Sequence, residues 1–166
     1  MKKIHLIRHA KSSWKDASLA DIDRPLNKRG IRTCQFMAQH ISNAGCCFDH
    51  VFCSPAVRAQ STIELIAGAI PELKIKWRTE AELYTFDSGH LMEWFDSRDE
   101  SISEIAIIGH NPAFTEVCNE LSKGNIHNIP TCGYVQLAIP DGCLWGQISN
   151  VTAEIKAFLR PKELSA

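Results

Sequence analysis

The sequence lacks any long hydrophobic run: no apolar stretch comes close to the ~20 residues that a membrane-spanning helix requires. It also lacks an excess of either charge, since 18 lysines and arginines face 19 aspartates and glutamates, for a net charge of −1. A chain this close to neutrality has no bulk attraction for nucleic acid or for an anionic membrane. The basic start, Met1-Lys2-Lys3, leads into a short strand-like run and not into a signal-peptide core. We therefore expect a cytoplasmic protein that binds neither nucleic acid nor membranes.

The cysteines and histidines lack the spacing of a metal site. The seven cysteines include no C-x-x-C pair, and most of them lie inside apolar patterns, where a thiol behaves as a small hydrophobic group. His40, His50, His90 and His127 are scattered without ligand spacing. The sequence predicts reduced core thiols, no metal and no cofactor.

Short apolar runs alternate along the chain with amphipathic stretches of helical period. At 166 residues the chain is long enough to bury a core as one domain, residues 1–166. The tail 153–160 is ambiguous between strand and helix, and its alternation favours a strand. The alternation predicts an α/β fold, a three-layer sandwich around a mostly parallel central sheet. Strands are expected at 4–7, 51–53, 73–77, 105–108 and 134–139, and helices at 28–45, 54–70, 88–98 and 111–124.

Three of the expected strands end in residues suited to binding an anion. Arg8-His9 follows the first strand, Ser54-Pro55 and Arg58 follow the second, and Gly109-His110 follows the fourth. Ligands of open α/β sheets bind outside the carboxyl ends of the strands, and helix starts there favour anions. Taken singly, each group is a solvated charge or a helix cap. Two arginines, two histidines and two helix starts at three strand ends together indicate a site for a dianionic phosphoryl group.

These strand ends carry the motifs LIRHAKS (6–12), SPAVRAQST (54–62) and GHNP (109–112), which resemble the histidine phosphatase superfamily. Arg24-Pro25-Leu26, Arg29-Gly30 and Pro161-Lys162 are similar more narrowly to its short SixA-type phosphohistidine phosphatase branch. The resemblance spans nearly the whole chain. It implies a phosphoglycerate-mutase-like fold and a two-step, metal-free phosphoryl transfer.

The resemblance also implies roles for individual residues. His9 would be the nucleophile that accepts the phosphoryl group, while Arg8, Arg58 and His110 would hold its oxygens. This agrees with the chemistry, because fixed cations neutralise the phosphoryl oxygens and a neutral imidazole attacks phosphorus. The second ring nitrogen of His9 is expected to donate to a backbone carbonyl. An ordinary imidazole pKa would place a fall in activity between pH 5 and 8.

Other assignments have two readings. Glu82 aligns with the acid that protonates leaving groups in the superfamily, or it is a solvent-facing loop carboxylate. Ser12 and Lys11 contact the phosphate, or they are solvated. Asp23 pairs with an active-site arginine, or it only begins the turn at Arg24-Pro25. Ala10 stands where many relatives have glycine, and its methyl group is tolerable if the backbone there avoids positive φ.

Three functions follow from these features. The first is a phosphatase for phosphohistidine in a protein, such as a histidine-phosphotransfer or signalling protein, because the short chain leaves little room for a roof over the site. The second is a phosphatase or mutase for a small phosphorylated metabolite. The third, a phosphate-binding module without turnover, ranks last because the nucleophile candidate His9 is present.

Overall fold

The computed structural model describes residues 1–164, which form a six-stranded sheet with helices on both faces. The strands are β1 Lys2–Arg8, β2 Val51–Cys53, β3 Trp77–Thr79, β4 Glu104–Gly109, β5 Tyr134–Ile139 and β6 Glu154–Leu159. The helices are α1 Lys28–Asn43, α2 Val57–Ala69, α3 Ser88–Asp96 and α4 Ala113–Ser122. Among the described residues, no helix is long and apolar enough to cross a membrane.

The sheet order is β3-β2-β4-β1-β5-β6. The pairs β3–β2, β2–β4 and β4–β1 are parallel, whereas β5 is antiparallel to both β1 and β6. Strand β6 therefore runs in the same direction as β1, and β5 is the reversed strand. The predicted α/β fold with a mostly parallel sheet is confirmed. Strands β2, β4 and β1 are direct neighbours, so the three strand ends singled out in the sequence lie side by side.

Each face of the sheet carries its own hydrophobic core, which gives the molecule three layers. On one face, Ile63 of α2 and Met37 of α1 pack with Ile108 of β4. On the other, Phe95 of α3 and Phe114 of α4 pack with Ile107 of the same strand. The alternation of neighbouring β4 residues between the two cores follows from the period of two along a strand. All seven cysteines are free, and six of them are buried.

The structure confirms most of the expected elements and corrects the start of α2, which lies at Val57, and one strand. Helix α1 ends as predicted, with Gly45 at a φ of 101° just beyond it. The tail is strand β6, as its alternation suggested. The strand expected at 73–77 is wrong, because Pro71–Leu73 is a 3-10 turn and Lys74 has a φ of 50°, so β3 begins only at Trp77.

Candidate active site

The carboxyl ends of β1, β2 and β4 bring His9, Arg58 and His110 together. Arg58 Nε lies 3.4 Å from His9 Nε2, and Arg58 Nη2 lies 3.5 Å from His110 Nδ1. The two imidazole rings are 5.2 Å apart between centroids. All three residues are buried. The expectation that these strand ends surround one small volume therefore holds for these three residues.

Backbone and side-chain hydrogen bonds fix the orientation of His9. Its backbone N–H donates to the carbonyl of Gly109, and its own carbonyl accepts from Cys132 N–H, so the residue is tied to the start of β5 as well as to β4. Its ring Nδ1 lies 2.7 Å from the carbonyl oxygen of Ala10. Because a carbonyl only accepts, Nδ1 carries the proton and Nε2 presents its lone pair, as the sequence analysis anticipated.

The environment keeps His9 neutral. Burial, together with the charges of Arg58, Arg8 and Arg24, lowers its pKa to about 4 against the raising effect of the bond to Ala10. A neutral imidazole whose unprotonated Nε2 accepts a long hydrogen bond of 3.4 Å from Arg58 Nε is suited, among these fixed cations, to attack on phosphorus.

Ala10 fits its position without strain. The residue is fully buried, and it is not among the described residues with positive φ. Its N–H donates to Thr62 Oγ1 at 3.0 Å, and that hydroxyl in turn donates to the carbonyl of Arg58. The methyl group in place of glycine is thus compatible with the local backbone.

Arg58 is the second residue of α2, and its side chain points into the site. Its Nη1 donates to the backbone carbonyl of Asp21 at 2.7 Å, and its Nη2 donates to the Asp21 carboxylate at 2.9 Å. With its Nε directed at His9, the guanidinium is held on three sides. This orientation is imposed largely by the loop that follows β1.

Asp21 is the centre of an ionic network that the sequence analysis missed. Its carboxylate accepts from Arg58, from Arg24 and from the Tyr84 hydroxyl, the last at 2.6 Å. Partial burial alone raises the pKa of Asp21, but the hydrogen bonds from Tyr84, Arg58 and Arg24 outweigh it and hold that pKa far below its usual range. The partner of the active-site arginine is therefore Asp21, and the alternative that placed Asp23 there is wrong.

His110 is oriented by Ser54, the first residue after β2. His110 Nε2 lies 2.8 Å from Ser54 Oγ, and that oxygen also accepts from the N–H of Ala56. Burial, together with the neighbouring His9 and Arg58, lowers the pKa of His110 to about 3. Ser54 was expected to cap α2, but that helix begins only at Val57. The Ser54 hydroxyl instead contacts the ring of His110.

Arg8 lies at the edge of this group, half-buried. Its Nη1 donates to the carbonyl of Ile129 at 2.8 Å, which anchors the guanidinium to the segment before β5. Burial and the neighbouring charge of Arg58 lower its pKa. Arg8 and Arg58 are thus close enough to repel one another, a cost that a bound dianion would relieve.

The remaining candidates lie further out. The Ser12 hydroxyl accepts from Arg24 Nη1 at 2.8 Å, so Ser12 reaches the site through Arg24. Lys11 is exposed. Glu82 is exposed in the 3-10 turn Ala81–Leu83 and faces a separate cleft of about 410 Å³. Among the described residues, Glu82 makes no hydrogen bond to the other candidates, whereas Tyr84, which lines the same cleft, donates to Asp21 and has its ring 5.5 Å from that of His110.

The site residues that were missed differ in how far the sequence indicates them. Arg24 stood in a motif of the SixA-type branch, and its burial shows why that position matters. Asp21 and Tyr84 carried no local signal, because their meeting depends on how the loop after β1 folds over α2. Within residues 1–164, no group of three or more histidine, cysteine or acidic side chains is placed to hold a metal ion.

Fold and site together define an α/β protein with a neutral histidine in a cationic pocket. A family model described as Histidine phosphatase superfamily (branch 1) matches residues 4–115, about two thirds of the chain. The chain belongs to the histidine phosphatase superfamily.

Proteins related in sequence are known from plants and bacteria. A chloroplast protein of Arabidopsis thaliana is 28% identical over 144 residues, covering 79% of this chain and 63% of its own length. A Mycobacterium leprae protein is 25% identical over 168 residues, covering 94% of this chain and all of its own. This chain also spans 63% of the length of two Mycobacterium tuberculosis relatives.

Solved structures share the fold at low sequence identity. The protein histidine phosphatase SixA in complex with tungstate superposes with a TM-score of 0.77 at 18% identity, covering 98% of this chain and 99% of its own. A mycobacterial glucosyl-3-phosphoglycerate phosphatase gives 0.67 at 11% identity, covering 93% and 97%. These likenesses confirm the phosphoglycerate-mutase-like fold inferred from the sequence.

Proposed function

We propose that the protein is a phosphatase that accepts a phosphoryl group on His9 Nε2, and that its substrate is phosphohistidine in a protein. His9 is neutral, its unprotonated Nε2 accepts a long hydrogen bond of 3.4 Å from Arg58 Nε, and Arg58 and Arg8 flank it. Family membership supports the reaction class. The tungstate complex of the SixA neighbour supports an anion pocket in this fold.

The reaction has two displacements. In the first, the Nε2 lone pair of His9 attacks phosphorus, the bond between phosphorus and the substrate imidazole breaks, and the leaving imidazole keeps that electron pair and takes a proton from solvent water. In the second, water attacks the phosphoryl group on His9, releasing inorganic phosphate and restoring the neutral ring. Arg8 and Arg58 neutralise charge on the phosphoryl oxygens in both steps with little reorganisation.

The state of the nearby carboxylates is the observation that favours phosphohistidine. Asp21 is the carboxylate hydrogen-bonded to Arg58, and its strongly lowered pKa keeps it ionised. Glu82 faces another cleft. An alkoxide leaving group needs a proton from a nearby acid, whereas imidazole departs from phosphorus with less help. A site whose bound carboxylate is a poor acid is better suited to breaking a phosphorus–nitrogen bond.

The rim of the site supports a protein substrate. Trp14 is 77% exposed and stacks on the Arg24 guanidinium at 3.6 Å, and Phe86 is 44% exposed with its ring 5.3 Å from that of His110. Exposed aromatic side chains are enriched where proteins contact each other.

A small phosphorylated metabolite is the second candidate substrate. The neighbour that is a glucosyl-3-phosphoglycerate phosphatase favours it, because this fold also serves a small substrate there. A kcat/KM that is orders of magnitude higher for a metabolite than for a phosphohistidine protein would establish this alternative.

Trapping the intermediate tests the proposal. Rapid acid-free quenching with a ³²P-phosphohistidine protein, followed by separation by size, is expected to show an acid-labile, base-stable label on the enzyme. His9→Ala is expected to abolish both label and turnover, because no other imidazole in the site presents the lone pair to phosphorus. The exposed His127→Ala is the matched control and should retain both. Near-normal turnover in His9→Ala would refute the nucleophile assignment.

A further inference from the structure

A second depression lies beside the active site at the same edge of the sheet. It has a volume of about 530 Å³, within the ~300–1,000 Å³ range of ligand pockets. We name it the basic cleft. Its lining residues of interest are Arg8, Lys11, Arg29, Arg160, Lys162 and Glu163.

The topology of the sheet explains why this cleft continues the active site. Strand β6 runs in the same direction as β1, so Arg160, which follows β6, lies at the same edge as Arg8. Strand β5 is reversed, so the segment before it also arrives there, and Asn128 and Thr131 line the cleft. Arg8 belongs to both places, because it lines the cleft and directly precedes His9.

The charge in the cleft is concentrated and largely unneutralised. Five of its eleven lining residues are cationic and one is acidic, although the whole chain carries a net charge of −1. Arg160 pairs with Glu163 at 3.6 Å. Within residues 1–164, Lys11, Arg29 and Lys162 take part in no ion pair. The cleft also lies beside the first turn of α1, where the helix dipole is positive.

Two distant parts of the chain are brought together to form the cleft. Arg29-Gly30 lies in the first turn of α1, and Pro161-Lys162 lies more than a hundred residues later in the chain. A Cβ on Gly30 would be 2.3 Å from the backbone oxygen of Lys11, so glycine is what allows α1 to approach the loop after β1 this closely. That approach sets Lys11 and Arg29 on the same wall. Cations spread over a solvated surface would not require such packing.

We propose that the basic cleft binds a second anionic group of the substrate, beside the phosphoryl group that His9 accepts. This inference rests on the proposed function and narrows its substrate class. The shared chemistry is a carboxylate or a phosphate: an acidic side chain next to the phosphohistidine of a protein, or the second phosphate of a small molecule. Either would sit on Arg160, Lys162 and Arg29 while the reacting group lies between Arg8 and Arg58.

Matched substrates test the cleft. The first pair is a phosphohistidine peptide flanked by glutamates and the same peptide flanked by glutamines. The second pair is a sugar bisphosphate and the matching monophosphate. The wild-type protein is expected to prefer the more acidic member of one pair by roughly tenfold in kcat/KM, as two or three exposed charge pairs would provide. The pair that shows the preference identifies the source of the anion.

Paired variants locate the preference. Arg160→Gln with Lys162→Gln is expected to reduce it to within about twofold by slowing only the more acidic substrate. Lys76→Gln with Arg78→Gln removes the same two charge types from exposed positions at and beside β3, on the far side of the sheet, and should leave the preference intact. The absence of a preference in both pairs, or an equal loss on both members, would overturn the inference.

A binding measurement separates this inference from the proposed function. If the wild-type protein hydrolyses neither peptide, the phosphohistidine proposal fails. Calorimetry with the unphosphorylated peptides and with the two sugar phosphates then still decides the question of the cleft. Tighter binding of the more acidic member of either pair that is lost in Arg160→Gln with Lys162→Gln supports the cleft, and equal binding within both pairs overturns it.

Discussion

At the scale of single residues, the state of His9 changes what its sequence predicts. An ordinary histidine titrates near neutral pH, which led to an expected fall in activity between pH 5 and 8. Burial and the surrounding arginines lower the pKa of His9 to about 4. Such a shift depends on burial and on the charges of Arg58 and Arg24, which are distant in sequence, so the motif around His9 alone cannot reveal it.

The pH profile is therefore expected to be flat where the motif suggested a slope. Below its pKa, His9 Nε2 carries a proton and cannot attack, so kcat/KM, corrected for substrate ionisation, should hold level from about pH 8 to about pH 5 and fall around pH 4. The first measurement is kcat/KM against pH. The second is an NMR titration of the His9 ring signals, which are assigned by their loss in His9→Ala. A fall centred near 6.5 would contradict the lowered pKa.

Asp21 sets the charge that a phosphate meets at Arg58. Asp21→Asn keeps a hydrogen-bond acceptor but removes the negative charge, so inorganic phosphate is expected to inhibit at a concentration several-fold to about tenfold lower. Asp23→Asn removes the same charge from an exposed position two residues away and should change the inhibition constant little. Equal effects of the two variants would show that Asp21 acts only through general charge.

At the scale of secondary-structure elements, the sequence predicted the helices better than the edge strand. Helical period and terminal glycine define α1 locally. The alternation of Leu73, Ile75 and Trp77 is strand-like, but a strand also needs a partner, and β2 pairs only with Trp77–Thr79. The expected strand therefore failed because pairing is non-local, while the side-chain pattern reflects partial burial of Ile75 and Trp77.

The contact between α1 and the loop after β1 gives a stability prediction. Gly30→Ala places a Cβ against the Lys11 carbonyl and is expected to destabilise the protein by about 1–3 kcal/mol. Gly68→Ala is the control, because Gly68 lies at an exposed position of α2 and an added Cβ would have nothing within 4 Å. It should stabilise the protein by about 0.5–1 kcal/mol. Urea unfolding measures both. A neutral Gly30→Ala would mean that α1 shifts freely at this contact.

At the scale of the whole molecule, the sequence predicted the layers and the three strand ends, but not the strand order. Whether β2, β4 and β1 are neighbours is decided by pairing over long sequence distances. The reversal of β5 had no local signal either, yet it brings Ile129 to Arg8 and Cys132 to His9. The residues at the core of the site could be predicted because their motifs fall at strand ends. Asp21 and Tyr84 could not be predicted, because loops carry them to the site.

The reversed strand also determines how the protein can be handled. Strand β5 ends at Ile139 on the edge opposite the site, and the turn that follows places Asp141 3.0 Å from the amino group of Met1. An affinity handle or a surface tether joined at Met1, or inserted at the exposed Gly142, would thus point away from His9. Immobilised in this way, the protein would present the proposed phosphate pocket and the basic cleft to a macromolecule in solution.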